Sequence, residues 1–546
     1  MSKIQHSEHG AKFVKGAAIL SITGIIAKVF GAFFRIPLNN WIGAAGMSYY
    51  GVAYPIYSFF LIIATAGLPV AISKMVSERV AIGDYINAHR VYKVSLHIMF
   101  AIGVFGFIVC YFGADIIAAH SKNPGGAASL RAIAPALLTA PIVASFRGYS
   151  QGQQQMMPTG ASEVIEQLMR VFAGLGLAYM FLSSSRDLTK AAAGATFGAS
   201  AGSIAALILL LVVYIVGGKE RKLHFQKSIH KDEPTKSIFS QLLKIAVPIT
   251  IGSAILPFMM IVDLWLVMRR LQATGWTHHQ SKQLYGLISG FCDPLIGFPQ
   301  VFTIAVAVSL VPAISSAFVR EDMVGLHKNI QTGIKTSMII SFPCMIGLIA
   351  LARPILFLLY PGQPEDSSLA VPTLQVLSLG IVCLSILRTF SSVLQGIGKP
   401  AIPVVNLSIG VACKFIITYI LVGIPAFNIN GAAAGNVAAY GITAILNYRA
   451  MHKLTGTNIN IVGTFVKPAV AALVMGAGAH GSYVLIYKLL GSNSLATLAA
   501  MIIAVFIYVA AVFVTKCLGP EEILMMPKGE KILRLTNKFH LTNNSK

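Results

Sequence analysis

The sequence predicts an all-α integral membrane protein. About fourteen transmembrane helices are expected, as two homologous six-helix lobes followed by an extra C-terminal helix pair. Three observations predict it. The chain has 546 residues, 55% of them apolar and only 11% charged, where a soluble protein carries about 25% charge. The apolar residues fall in long runs, each near the roughly 20 residues that one crossing requires. Short motifs of the first half also recur about 240 residues later.

The recurrence rests on four matches. Arg147 pairs with Arg388, Gln151-Gly152 with Gln395-Gly396, Pro158 with Pro400, and Ala71-Ile72-Ser73 with Ala313-Ile314-Ser315. Any one could be chance, but their near-equal spacing argues for two related halves.

The runs follow in order. The first six cover roughly 15–35, 48–76, 90–112, 127–149, 158–182 and 190–216. A polar, basic segment, Gly217–Lys236, separates them from six more, at roughly 240–269, 284–317, 329–352, 371–397, 401–422 and 430–451. A last pair, roughly 462–487 and 493–517, has no counterpart in the repeat. The expected divisions are therefore an N-terminal lobe (1–230), a second lobe (231–455), the helix pair (456–518) and a basic tail (519–546). The first run lacks a small-residue cleavage site, so it reads as a retained span rather than a leader.

Six spans per lobe is an even number, so both lobes enter the membrane from the same side and their pseudo-symmetry axis should follow the membrane normal. The net charge of +23 sits mostly between spans. Lys and Arg are concentrated in both tails and in the loops after even-numbered spans, including Arg79, Arg90, Arg221, Lys222, Arg320 and Arg449. The positive-inside rule then puts both termini in the cytoplasm. No nucleic-acid partner is implied. The 6 cysteines are scattered singly, without metal-ligand spacing, and read as small core residues. Histidines such as His278 and His279 fall in loops without ligand spacing. No GxxxxGK[ST] motif is present, so the chain is not expected to hydrolyse ATP. Acids are too few and scattered for a membrane-embedded transferase, so no enzyme is expected.

Charges inside the spans carry the functional signal, because each costs ~2.5–3.5 kcal/mol at mid-membrane unless it faces protein or water. Lys28 and Arg35 lie seven residues apart, about 10 Å along one helix face. They predict a cationic wall for an anionic substrate. The alternative has them reaching out to the membrane edges. Arg388 and Lys414 are further substrate-binding candidates in the second lobe. Pro158 should open a new helix. Beyond it Glu163, Glu166 and Arg170 share one face, with Glu166 and Arg170 at ion-pair spacing. They read either as mutual partners or as coupling or gating groups. Asp263 is the lone acid deep in the seventh span, and is a further coupling candidate. Gly and Pro within the spans read as packing and kink sites, or as hinges.

These residues also resemble a family. Arg-Gly-Tyr-x-Gln-Gly-x5-Pro-Thr-x3-Glu-x2-Glu-Gln, here Arg147 to Gln167, resembles the polysaccharide-export branch of the MOP flippase superfamily, specifically the SpoVB/YtgP group related to the lipid II flippase MurJ. Leu394 to Pro400, Asn406-Leu407 and the stretch from Tyr285 to Ser315 resemble that group too, so the likeness covers nearly the whole chain. The resemblance implies a V-shaped bundle of two lobes plus two C-terminal helices. It implies transbilayer movement of an undecaprenyl-pyrophosphate-linked cell-wall precursor, most readily lipid II. It implies that first-helix basic residues, matched here by Lys28 and Arg35, line the cavity. MurJ-type members also carry arginines in the second and eighth helices. This chain departs, with none between Tyr49 and Ala71 or between Leu284 and Phe318.

The expected partners are a lipid-linked glycan, membrane lipids and the cell-wall synthesis machinery. No cofactor is expected, with drive from the membrane potential, H+ or Na+. Two alternatives stay open: a flippase for another undecaprenyl-linked glycan, and a cation-coupled multidrug extruder, which would want an acidic cleft. A non-transporting assembly scaffold is disfavoured, because it would gain nothing from the cost of the buried charges.

Overall fold

The computed structural model describes residues 2–226, 228 and 232–518, with side chains from Thr23 onward except at a few helical positions, Lys28 among them. The basic tail 519–546 lies outside the described residues. Every regular element among them is helical, and 13 helices are long and apolar enough to cross a membrane. The first of these, Val29–Ala81, is 53 residues long and continues from the first predicted span through the second. That merger is why thirteen stand where about fourteen were expected. The chain divides into two compact units, Met1–Gly286 and Leu287–Lys546.

The first unit opens with α1 (Ser2–Thr65), broken only at Gly43, whose φ of 60° and ψ of −173° suit a residue with no Cβ. After a short turn, α2 (Leu68–Ala81) starts with a proline in its first turn, where the missing N–H costs nothing. Helix α3 (Tyr85–Phe112) is capped by Asp84, which accepts from Asn87 N at 3.1 Å. A short α4 (Ala114–His120) leads to α5 (Gly126–Gly152) and α6 (Met157–Ser185), the latter opened by Pro158 as expected. Asp187 caps α7 (Leu188–Val216) through Thr189 N at 2.8 Å. A basic helix α8 (Gly218–Gln226), the long α9 (Thr235–Ala273) and α10 (His278–Gly286) complete the unit. His278 and His279 thus open a helix instead of lying in a loop.

In the second unit a π-helical turn (Leu287–Cys292) leads into α11 (Asp293–Val319). Helices α12 (Met323–Ala350), α13 (Ala352–Leu359), α14 (Pro364–Gly396), α15 (Ala401–Val422) and α16 (Asn428–Thr455) follow. The pair α17 (Lys467–Leu490) and α18 (Asn493–Val514) packs on α12 and α13. Asn493 donates to Pro354 O at 3.2 Å and Tyr508 to Ile339 O at 2.5 Å.

The repeat reappears as packing. In the first unit α3 packs on α5, α5 on α7, and α6 on α7. In the second, α12 packs on α14, α14 on α16, and α15 on α16. Small residues allow the close pairs. A Cβ at Gly198 of α7 would lie 2.5 Å from Arg170 O of α6 and 2.8 Å from Gly174 Cα, and one at Gly410 of α15 would lie 2.7 Å from Ala439 O of α16. Hydroxyls tie the helices at depth: Thr139 to Ser203 at 2.6 Å in one unit, Ser337 to Thr389 at 2.8 Å and Ser341 to Ser385 at 2.7 Å in the other.

Helix α9, the seventh span, packs on α1, α2 and α3. The Cβ position of Gly67 is filled by the Ala246 carbonyl and Thr250 of α9, so only glycine permits that approach. Compactness therefore divides the chain after Gly286, whereas the sequence repeat divides it at 230.

Candidate functional site

A charged cluster within the spans of the first unit lies among α1, α5 and α6. Its centre is Glu166. One carboxylate oxygen accepts from Arg147 at 2.9 Å and the other from Arg170 at 3.0 Å. The three side chains are 14% to 21% exposed. Arg147 also donates through Nε to Ser162 at 2.8 Å. Ser162 in turn donates to Thr159 O at 2.7 Å, within the first turn after Pro158. Glu163, one position along, hydrogen-bonds Thr23 of α1 and lies within electrostatic reach of Arg147.

Helix α1 contributes an aromatic ladder to the same cluster. Tyr50, Tyr54 and Tyr57 sit four and three residues apart, on one helix face. Arg35, on α1 before the Gly43 break, places its guanidinium carbon 4.5 Å from the Tyr50 ring centre and 5.4 Å from that of Tyr54. Such stacking contributes about 0.5–2 kcal/mol. Tyr57 is 2% exposed, and its hydroxyl, like Arg170 Nε, has no hydrogen-bond partner among the described residues. Arg170 and Glu166 both act electrostatically on that hydroxyl.

The predicted residues thus separate. Arg35, Glu163, Glu166 and Arg170 come together in one cluster. The side chain of Lys28 lies outside the described residues. Asp263 is half-buried on α9. Arg388 and Lys414 belong to the second unit. Arg388 of α14 is half-buried beside Tyr440 of α16, and its Nε has no partner among the described residues. Lys414 of α15 is 0% exposed, with its alkyl chain against Gly435 of α16. No acid occurs in α15 or α16. Among the described residues no group of three or more His, Cys, Asp or Glu could hold a metal.

Two contributors were not predicted as site residues. Arg147 was visible only as the head of a motif, and the Tyr50–Tyr54–Tyr57 face reads in sequence as ordinary apolar span. The cluster's sign follows from the inventory: Arg35, Arg147 and Arg170 against Glu163 and Glu166. It can hold an anion near Arg35 while Glu166 bridges two helices, and the bridge offers a charge whose loss would free both arginines.

The glycines of α7 set the position of α6 beneath these charges. Gly198→Leu should force α6 outward against the Arg170 backbone, lowering stability by about 1–3 kcal/mol. A melting curve of the purified protein checks this, and an unchanged midpoint would show that the close approach is dispensable.

Comparison with known proteins gives the same family from several directions. The family model for polysaccharide biosynthesis proteins matches residues 13–318, and that for lipid II flippase MurJ matches residues 169–501. An uncharacterized membrane protein, YabM, of Bacillus subtilis (strain 168) is 29% identical over 538 residues, 96% of each chain. Lipid II flippase MurJ of the same organism is 26% identical, covering 86% of this chain and 87% of its own. Among solved structures, an inward-facing multidrug resistance MATE transporter of the MOP superfamily superposes with a TM-score of 0.66 at 14% identity, over 81% of this chain and 98% of that one. Lipid II flippase MurJ in an inward closed conformation gives 0.61 at 16% identity, over 90% and 97%. The chain belongs to the polysaccharide biosynthesis and MurJ family of the MOP flippase superfamily, a family of multi-pass membrane transporters.

Proposed function

We propose that the chain is a flippase that carries an anionic, undecaprenyl-pyrophosphate-linked cell-wall precursor, most readily lipid II, across the bacterial cytoplasmic membrane by alternating access. The observation that carries this reading is the sign of the charge at membrane depth. In the Glu166 cluster of the first unit three arginines, Arg35, Arg147 and Arg170, face two glutamates, Glu163 and Glu166. In the second, Arg388 of α14 and Lys414 of α15 both approach α16, a helix that carries no acid. Cations retained in spans despite their cost favour an anionic cargo, and arginine matches phosphate oxygens with a planar fork. A cation extruder would want the opposite sign.

A second reading keeps the mechanism and changes the lipid. The spans that carry arginines in MurJ-type members have none here, which favours another undecaprenyl-linked glycan. Cells depleted of their lipid II flippase distinguish the two. Rescue of growth by this chain supports lipid II. No rescue, with the protein present in the membrane, moves the assignment to the other glycans.

Glu163, Glu166, Arg170 and Asp263 are assigned to coupling or gating, with the membrane potential, H+ or Na+ as drive. Both termini are placed in the cytoplasm, on the loop charges. All 6 native cysteines are buried or half-buried, so they should stay silent in a labelling test. Single cysteines introduced in 217–236 or in 519–546 should resist impermeant thiol reagents in intact cells. Labelling of either segment from outside would reverse the orientation.

A further inference from the structure

A second polar site lies at the C-terminal end of α5. A cavity of about 270 Å³ opens at one end of the first unit, between the end of α5, the start of α3, the end of α7 and the basic helix α8. Its polar lining includes Tyr85, Tyr149, Ser150, Gln153, Gln155 and Arg221, and none of the lining residues among those described is acidic. The walls are fixed by aromatic contacts. Tyr85 stacks on His224 at 4.6 Å, and Arg221 lies 3.7 Å over the Tyr214 ring while donating to Tyr214 O at 3.1 Å. That is the one hydrogen bond its guanidinium makes among the described residues. Lys219 and Lys222 outweigh Glu220 on the same helix and leave it net positive.

The mouth differs from the floor. Val213 of the lining is 38% exposed, and beside it Ile215, Val216 and Leu223 are 72%, 76% and 58% exposed. The site therefore offers donors and a guanidinium next to a bare apolar helix end. That pairing fits an amphiphile with an anionic head better than a soluble anion. A basic pocket between transmembrane helix ends is a recognised setting for acidic headgroups.

We propose that this pocket seats the phosphate headgroup of an anionic membrane phospholipid, with its acyl chains along the exposed end of α7. The phosphate accepts from Arg221 and from the lining hydroxyl and amide donors. This site is independent of the cargo and uses none of the Glu166 cluster.

The test uses the full chain purified in detergent, with lipid adducts measured by native mass spectrometry. Phosphatidylglycerol should bind in preference to phosphatidylcholine. Arg221→Gln should weaken phosphatidylglycerol by about five- to tenfold, since one basic residue near a membrane surface contributes about 1 kcal/mol and a seated one more. Gln155→Glu, an exposed rim position, should weaken it similarly by placing a carboxylate against the phosphate. Gln155 is exposed, so lipid-free melting should be unchanged in Gln155→Glu, which separates loss of lipid from loss of the Arg221–Tyr214 contact. Lys488→Gln in the second unit should bind as wild type. Equal binding of both lipids, undiminished binding by the two pocket variants, or an equal loss in Lys488→Gln would overturn the proposal. So would glycerol 1-phosphate or inorganic phosphate binding as tightly as the lipid, which would make the ligand a soluble phosphate.

Discussion

Glu166→Gln is expected to cost about 3 kcal/mol of stability and to abolish transport. The carboxylate is the shared acceptor of Arg147 and Arg170, at 2.9 and 3.0 Å. Removing its charge leaves two guanidinium groups facing each other in a mostly dry site. Breaking a buried ion pair costs about 3–5 kcal/mol, and the 14% to 21% exposure of these side chains argues for the lower end. A compensated variant separates structure from function. Glu166→Met with Arg170→Met removes one charge of each sign, so it should recover much of the melting temperature. It should still fail to rescue cells depleted of a flippase. If Glu166→Gln melts like the wild type, the bridge does not hold α5 to α6. If the double variant both melts and transports normally, the bridge is architectural and the gating assignment falls.

The spans were legible because hydropathy reports directly on a single cost, that of placing polar backbone and side chains in lipid. Helix α15 begins and ends at the predicted 401 and 422, since Lys399-Pro400 and Gly423 bound a mostly apolar run. Helix joins were less legible. Gly43 falls in the gap between the first two predicted spans, but the helix runs on through that gap and only the backbone angles at Gly43 mark the break. The close approach of α9 at Gly67 depends on a missing Cβ, which hydropathy does not register. In the cluster, the Glu166–Arg170 pair was readable because both residues lie on one helix at fixed spacing. Arg147 reaches Glu166 from a different helix, and that depends on how α5 is rotated against α6. Three tyrosines at helical spacing were on view in the sequence, but nothing local marks such a face as Arg35's partner instead of lipid-facing surface.

Arg35→Ala and Lys28→Ala should each abolish rescue while leaving normal amounts of protein in the membrane. Arg35 stands at the centre of an aromatic platform, 4.5 Å over Tyr50 and 5.4 Å over Tyr54. Stacking orients the plane of the guanidinium, so its fork is pre-set for two oxygens of one phosphate. Arg35→Lys keeps the charge and loses the plane, and should retain only part of the function. Tyr50→Leu should act in the same direction, because it removes the platform and leaves the charge. A residue that merely anchors a helix end to the membrane surface behaves differently. It tolerates glutamine, and its loss lowers protein abundance before it lowers transport. The decisive variant therefore carries Lys28→Gln and Arg35→Gln together. No rescue at normal expression places the cargo's anionic group on this face of α1. Full rescue would remove the cationic wall from the mechanism and leave Arg388 and Lys414 as the cations to test next.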